Sequence, residues 1–195
     1  MRSSLLCLLI LSLVGCKDDP TALGGDVVGT WRELPNATDD DPPEIAERQL
    51  LEFTSSGTVI ETENDVSEMS TYDAGDGMLT MTADDGASVA LPYLATSNRL
   101  VIGALVPDGD QDGFVGTWTG NSSAAGESID LTIKLDASMT AQVDYDRSVS
   151  EDDSYTGTWR AIGDDLEVTF MVEVFTVHMR ATRVGDALGT AYERL

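Results

Sequence analysis

From Val27 onward the apolar residues of this chain recur at every second position, and that spacing restricts the fold more than any other feature. Ile129, Leu131, Ile133 and Leu135 are apolar, while Asp130, Thr132, Lys134 and Asp136 between them are polar. Val89, Leu91 and Tyr93 share one face in the same way. A period of two sets one face of an extended strand against a core and leaves the other wet. Turn signals interrupt the chain at Ser56-Gly57, Asp76-Gly77, Asp85-Gly86, Asp108-Gly109, Asp112-Gly113, Gly163-Asp164 and Gly185-Asp186. Short strands joined by such turns predict an antiparallel all-β protein, barrel or sandwich. One stretch, Pro42-Pro43-Glu44-Ile45-Ala46-Glu47 after Asp39-Asp40-Asp41, carries helix-start chemistry. It reads as an acidic loop with at most a turn or two of helix.

The chain also repeats itself. Gly29-Thr30-Trp31-Arg32 returns as Gly116-Thr117-Trp118-Thr119, an offset of 87. At that offset Thr71-Tyr72-Asp73-Ala74 lies over Thr158-Trp159-Arg160-Ala161. Asn98-Arg99-Leu100 falls over Asp186-Ala187-Leu188 at 88, and Phe53-Thr54-Ser55-Ser56 over Leu135-Asp136-Ala137-Ser138 at 82. Ordered matches at nearly constant offset indicate duplication of a unit of about 85 residues, with about seven strands per copy. In the second copy Leu166, Val168 and Phe170 are apolar on even positions, but Phe175, Val177 and Met179 on odd ones. This parity switch demands a bulge or a turn near residues 172–174, and the hairpin expected at Asp84-Asp85-Gly86 in the first copy favours a turn.

The N-terminus carries an address. Arg2 precedes an apolar run from Leu5 to Val14, closed by Leu13-Val14-Gly15-Cys16. This resembles the lipobox of a bacterial lipoprotein signal peptide. The run is too short to cross ~30 Å of hydrocarbon, which takes about 20 residues. The resemblance implies cleavage before Cys16, a diacylglycerol on its sulfur and a further acyl chain such as palmitate on the new N-terminus. Several chains anchor firmly, because each buried methylene contributes about 0.8 kcal/mol. Aspartate directly after the cysteine marks inner-membrane retention in enteric bacteria. Lys17 stands there instead, which implies the outer membrane. Lys17-Asp18-Asp19 also resembles export tags that place lipoproteins on the cell surface. On this reading Cys7 leaves with the leader and Cys16 is blocked, excluding disulfides, thiolate catalysis and cysteine-ligated metals.

Charge narrows the partners. The chain holds 35 acidic and 11 basic residues and one histidine, a net charge of −24. Such a balance repels phosphate backbones, so no nucleic-acid partner is expected. It also repels anionic membrane surfaces, so the lipid must do the anchoring.

Gly29-x-Trp31 opens the first strand, followed by Leu51-Glu52-Phe53, a turn at Gly57, Tyr72 and a strand at Leu79; Gly116-x-Trp118 opens the second copy. This pattern resembles the bacterial lipocalin-like domain. The resemblance implies two tandem small antiparallel up-and-down barrels, each closed at its base by a G-x-W tryptophan. It further implies an arginine from a last strand packed over each ring, a cation–π contact. Arg194 is placed to serve Trp118 and Arg99 to serve Trp31. Lumens lined by Leu79, Met81, Leu91 and Tyr93, or by Phe170, Phe175, Val177 and Met179, suit an apolar ligand or a filled core equally.

Motifs for chemistry are sparse. Asp108-Gly109-Asp110-Gln111-Asp112-Gly113 matches the first half of a calcium loop, D-x-D-x-D-G, but Thr119 stands where the bidentate glutamate belongs. The segment also joins the two copies, where a solvated Asp/Gly linker is expected anyway, and that is the simpler reading. His178 lies opposite the apolar face of its strand and has no partner spacing for zinc or general-base work. No G-x-S-x-G elbow, phosphate loop or H-E-x-x-H occurs, so no enzymatic activity is expected.

The expected organisation is a signal peptide (1–15), a lipidated tether (16–26), a lipocalin-like β-domain (27–105), an Asp/Gly linker (106–113) and a second lipocalin-like β-domain (114–195). The expected function is that of a non-catalytic envelope lipoprotein binding a small apolar or amphipathic ligand in a barrel, through Trp31, Tyr93, Trp118 and Phe175. The alternative is a structural or interaction lipoprotein with filled cores and acidic loops, with calcium at Asp108, Asp110 and Asp112. No other cofactor is expected.

Overall fold

The computed structural model describes residues 23–40, 44–45 and 47–195. The expected leader, Cys16, most of the expected tether, and Asp41, Pro42, Pro43 and Ala46 of the acidic loop lie outside the described residues. Among the described residues the chain is all strand, turn and loop. The first copy supplies β1 (Gly29–Glu33), β2 (Leu50–Phe53), β3 (Thr58–Glu63), β4 (Val66–Gly75), β5 (Met78–Thr82), β6 (Ser88–Ala95) and β7 (Arg99–Pro107). The second supplies β8 (Gly116–Ala124), β9 (Glu127–Leu135), β10 (Thr140–Arg147), β11 (Asp153–Ile162), β12 (Asp165–Val172), β13 (Phe175–Val184) and β14 (Ala187–Arg194).

Every turn signal falls between strands. At Asp76-Gly77 both residues take positive φ, 51° and 76°, the geometry of a two-residue hairpin whose twist matches its strands. The parity switch in the second copy resolves as a turn at Glu173-Val174, with Val172 opposite Phe175 and Phe170 opposite Val177. All four therefore share one face. The described end of the tether is held down: Gly24 donates to the Tyr93 carbonyl at 2.7 Å, and Ala95 donates to the Gly24 carbonyl at 2.7 Å.

The strands pair antiparallel throughout and close into one ring, β1 beside β14 and each other strand beside its sequence neighbour. The two copies, expected as separate tandem barrels, do not close separately. β7 and β14 also pair with each other, from Leu188↔Leu105 to Glu193↔Arg99. Along its other edge β7 meets β6 at Leu100, Val101 and Ile102, and β8 at Val106 and Pro107. β14 likewise meets β13 at Ala187, Leu188 and Gly189, and β1 at Tyr192, Glu193 and Arg194. Both strands belong to both halves, and each half is completed by the last strand of the other. A further corner contact joins β6 and β8 through Val89↔Ala124 and Ala90↔Ser123.

This seam explains where the cores sit. Trp31, Phe53, Leu79, Leu100 and Tyr192 fill the first half, and Trp118, Ile133, Val143, Val168 and Leu188 fill the second. The β7–β14 register slips by one residue between Leu188 and Thr190. Gly103, with φ of 68°, supplies the left-handed residue that such a bulge requires. The extra residue keeps Leu105 on the core side with Leu100 and Ile102, while Val101 and Ala104 pack on the opposite face.

The crossing also reassigns the arginines. Arg194 lies opposite Trp31, and its guanidinium carbon stands 4.6 Å from that ring, not over Trp118. Trp118 lies opposite Pro107, the position equivalent to Arg194 at the repeat offset, so no arginine can come from there. Arg183 approaches it instead, at 5.9 Å. Arg99 does not reach Trp31; it pairs with Glu193 at 3.7 Å. Arg194 also donates to the Val28 carbonyl at 2.6 Å. Replacing Arg194 by alanine is expected to cost about 1 kcal/mol through the stacking and hydrogen bond together, read as a lower urea midpoint with unchanged slope.

Candidate functional site

Three of the four residues expected to bind ligand are core. Trp31 and Trp118 are fully buried, and their indole N–H groups donate to the Val27 and Phe114 carbonyls at 2.7 and 2.9 Å. Tyr93 is buried and its hydroxyl donates to the Gly25 carbonyl at 2.9 Å. Each is buried with its polar hydrogen satisfied by a backbone carbonyl. Phe175 is different: it is 69% exposed at the tip of the β12–β13 hairpin, on the face that continues inward through Val177 and Met179.

The open ends of the two halves differ in chemistry. Beyond Trp31 the inward positions of the first half become acidic, through Glu33, Glu61 and Glu63. The Tyr192 hydroxyl donates to Gln49 Oε1, and the Gln49 amide donates to Glu61. Burial pushes the Tyr192 phenol far above its usual range, with Glu33, Glu61 and Glu63 adding to the shift. Burial also raises the Glu33 carboxyl, and nearby Glu63 reinforces it. Below this polar plug Phe53 and Tyr72 pack edge to face at 4.9 Å, and the Tyr72 hydroxyl donates to the Thr54 carbonyl.

The second half stays apolar to its rim. Leu131, Tyr145, Tyr155, Val172, Val177 and Met179 are half-buried around its core. Tyr155 stacks at 30° on Phe170 with centroids 5.2 Å apart, and Tyr145 meets Tyr155 edge-on at 6.1 Å. A cavity of about 220 Å³ is walled by Leu105, Leu131, Ile133, Val168, Met179 and Leu188 of this half and, at the β7–β14 seam, by Ile102, Gly103 and Thr190, with Arg180 at its edge. Burial raises both tyrosine hydroxyls above the usual phenol range; Tyr155 adds to the shift of Tyr145, and Asp153 to that of Tyr155. Arg147 sits at the rim, 2.9 Å from Asp153 and 5.7 Å from the Tyr145 ring centre. This aromatic mouth is the candidate site.

Neither a family model, nor a curated protein, nor a solved structure matches this chain. The site therefore rests on its own geometry. Tyr145, Tyr155 and Arg147 were not singled out from the sequence. The signal was present in parity, since Val143, Tyr145 and Arg147 lie opposite Ile133, Leu131 and Ile129.

Asp108, Asp110 and Asp112 stand exposed in the loop between β7 and β8, where Asp112 and Val115 exchange backbone hydrogen bonds at 3.0 Å. Among the described residues no three carboxylate, imidazole or thiolate groups gather as a metal would need.

A second polar cluster lies outside the lumen. Glu167 points away from the core between Leu166 and Val168, yet is only 4% exposed, because residues 36–40 from the β1–β2 loop cross over it. Arg160 Nε and Arg180 Nε bind its two oxygens at 3.0 and 2.9 Å. Arg160 also donates to the Thr38 carbonyl, and Arg180 pairs with Asp39 at 3.3 Å. The loop is pinned further by Asn36 to the Ala181 carbonyl at 3.0 Å and by the Ala37 amide to Asp165 at 2.8 Å. His178, given no role from the sequence, stands 3.6 Å from Glu167. Burial pushes the Glu167 carboxyl up, but the hydrogen bonds from both arginines outweigh it and hold it below the usual range. The cluster is a clamp between the halves: its cations are taken up by Glu167 and by Asp39 and Asp40 from the loop.

Proposed function

We propose that this chain is a lipid-anchored envelope protein, related to the lipocalin-like domains, that binds a small amphipathic molecule in the lumen of its second half without acting on it chemically. The observation that carries the reading is the contrast between the halves: Glu33, Gln49, Glu61 and Tyr192 put polar groups inside the first, while the second holds a largely apolar cavity and a separate set of half-buried aromatic and aliphatic side chains ending at exposed Phe175. A volume of about 220 Å³ falls below the ~300 Å³ usual for a ligand pocket. A slender apolar chain fits it only if the polar end remains at the rim, which is the shape of an amphiphile. The Leu13–Cys16 lipobox supports anchoring, and Lys17 supports the outer membrane.

The test is titration of residues 23–195 with the neutral fluorophore N-phenyl-1-naphthylamine. One saturable site is expected, with Kd in the micromolar range. Phe175→Ala removes apolar cover worth about 1–2 kcal/mol, a roughly tenfold weakening. Tyr72→Phe, in the plugged half, should leave the titration unchanged. Absence of a saturable site, or equal loss in both variants, would overturn the reading.

A further inference from the structure

We infer that the second-half cavity opens sideways, at the seam where β13 and β14 part, and that a polar recess outside this seam holds an uncharged, hydrogen-bonding head. This rests on the lumen reading above and gives the two ends of the ligand their places. β13 and β14 pair only from Thr182↔Gly189 to Val184↔Ala187. From Thr190 on, β14 pairs with β7 and β1 instead, whereas β13 runs along β12 to Phe175. From Thr176 to Arg180 the other edge of β13 therefore has no strand beside it among the described residues. The cavity sits against this gap, with Met179 and Arg180 of β13 on one side and Gly103 and Thr190 on the other. Outside the gap lies a recess of about 270 Å³, walled by Glu33, Asn36, Asp39, Arg48 and His178. Cavity and recess share Arg180, Ala181, Gly189 and Thr190, so they abut where the strands part.

The backbone decides what the opening can recognise. The Arg183 N–H donates to the Asp164 carbonyl at 2.7 Å, which makes these two a hydrogen-bonded pair at the end of the β12–β13 ladder. Such pairs alternate along an antiparallel ladder, so Ala181, Met179 and Val177 turn their N–H and C=O groups to β12. Arg180, His178 and Thr176 turn theirs to the gap, where among the described residues no backbone group answers them. A row of neutral donors and acceptors matches hydroxyl or amide groups. The side chains add no excess sign, since Arg48 and Arg180 stand against Glu33 and Asp39 in the same wall. Arg180 is moreover already bound to Glu167 and Asp39, at 2.9 and 3.3 Å. A carboxylate or ammonium head would give up hydration there without an uncommitted counter-charge. From the recess the apolar chain enters the cavity at Met179 and follows the same face of β13 toward Val177 and Phe175.

Residues 23–195 contain no cysteine, so a single thiol can be placed on either side of the lumen. Thr190→Cys lies exposed at the seam, and Val174→Cys lies exposed beside Phe175 at the aromatic mouth. Each is coupled to benzyl methanethiosulfonate, an adduct that dithiothreitol removes, and association of the neutral fluorophore is followed by stopped flow. The Thr190 adduct is expected to slow association about tenfold, with the rate restored on reduction, and the Val174 adduct to leave it unchanged. Slowing at Val174 alone, equal slowing at both, or slowing at neither overturns the seam as the way in. If the unmodified protein shows no saturable site, the lumen reading itself fails and the seam goes with it. Displacement of the probe by 1-decanoylglycerol, decanoate and decyltrimethylammonium, each below its micelle concentration, then reads the head. The glycerol ester is expected to bind about fivefold tighter than either ion, the worth of one further hydrogen bond. Equal or tighter binding of either ion overturns the head assignment and leaves the seam standing.

Discussion

Cut between Asp110 and Gln111, the chain is expected to yield two pieces that are unfolded apart and fold together when mixed. The first piece keeps β1 to β7 but loses β14. Its core then lacks Tyr192, Arg194 no longer covers Trp31, and β1 and β7 each lose a hydrogen-bonded neighbour. The second piece loses β7, and with it Leu105 from its core and the partner of both β8 and β14. An exposed pair of unpaired edges around an opened apolar core is not a stable state for a unit of this size. Cutting the connection itself costs little, because Asp108, Gly109 and Asp110 beside the cut are exposed and loop-closure entropy changes slowly with length. Far-UV circular dichroism of each piece and of the equimolar mixture reads the outcome. Two pieces that each show strand signal and a cooperative melt would mean that the halves close on their own.

That crossing was the part of the fold hidden from the sequence. Period two and the turn residues were legible because each is local: Asp76-Gly77 needs positive φ wherever its strands end up, and Ile129 to Leu135 needs one wet face in any antiparallel sheet. Which edge β7 meets is not local. The alternation of Leu100 and Ile102 suits closure on β1 as well as pairing with β14, so the nearest arginine was matched to the tryptophan of its own copy. Only the Gly103 bulge and the substitution of Pro107 for Arg194 at the repeat position distinguish the two, and neither announces itself in one sequence. The four candidate ligand contacts divide in the same way: Phe175, at a parity switch, is exposed, whereas Trp31, Tyr93 and Trp118 are buried and hydrogen-bonded. Glu167 could not be found at all: on an outward strand position a glutamate looks solvated, and only the loop over it, contributed from more than a hundred residues earlier, shows otherwise.

Removing both cations from the clamp, as Arg160→Met with Arg180→Met, is expected to cost about 2–3 kcal/mol at neutral pH, at or below the lower end of the ~3–5 kcal/mol for an uncompensated buried charge. The lower figure applies because Glu167 lies under a single loop that can lift to admit water. The penalty has a pH signature. In the native protein Glu167 ionises below its ordinary value of 4.5, so its contribution to stability is present above that value and fades as pH falls through the lowered one. In the double variant burial acts without the two guanidinium groups, and the carboxyl ionises above 4.5 instead. Its cost is then present at neutral pH and disappears once both folded and unfolded chains are protonated. The gap between native and variant stability should therefore be widest near pH 7 and close toward pH 3. Taking the difference cancels the general relief of negative charge that acidification brings to both proteins. Urea denaturation followed by tryptophan fluorescence at several pH values measures the gap, and a constant gap would locate the loss in side-chain packing rather than in the buried charge. Glu167→Leu, which removes the charge and leaves Arg160 with Asp40 and Arg180 with Asp39, should be milder than the arginine double variant.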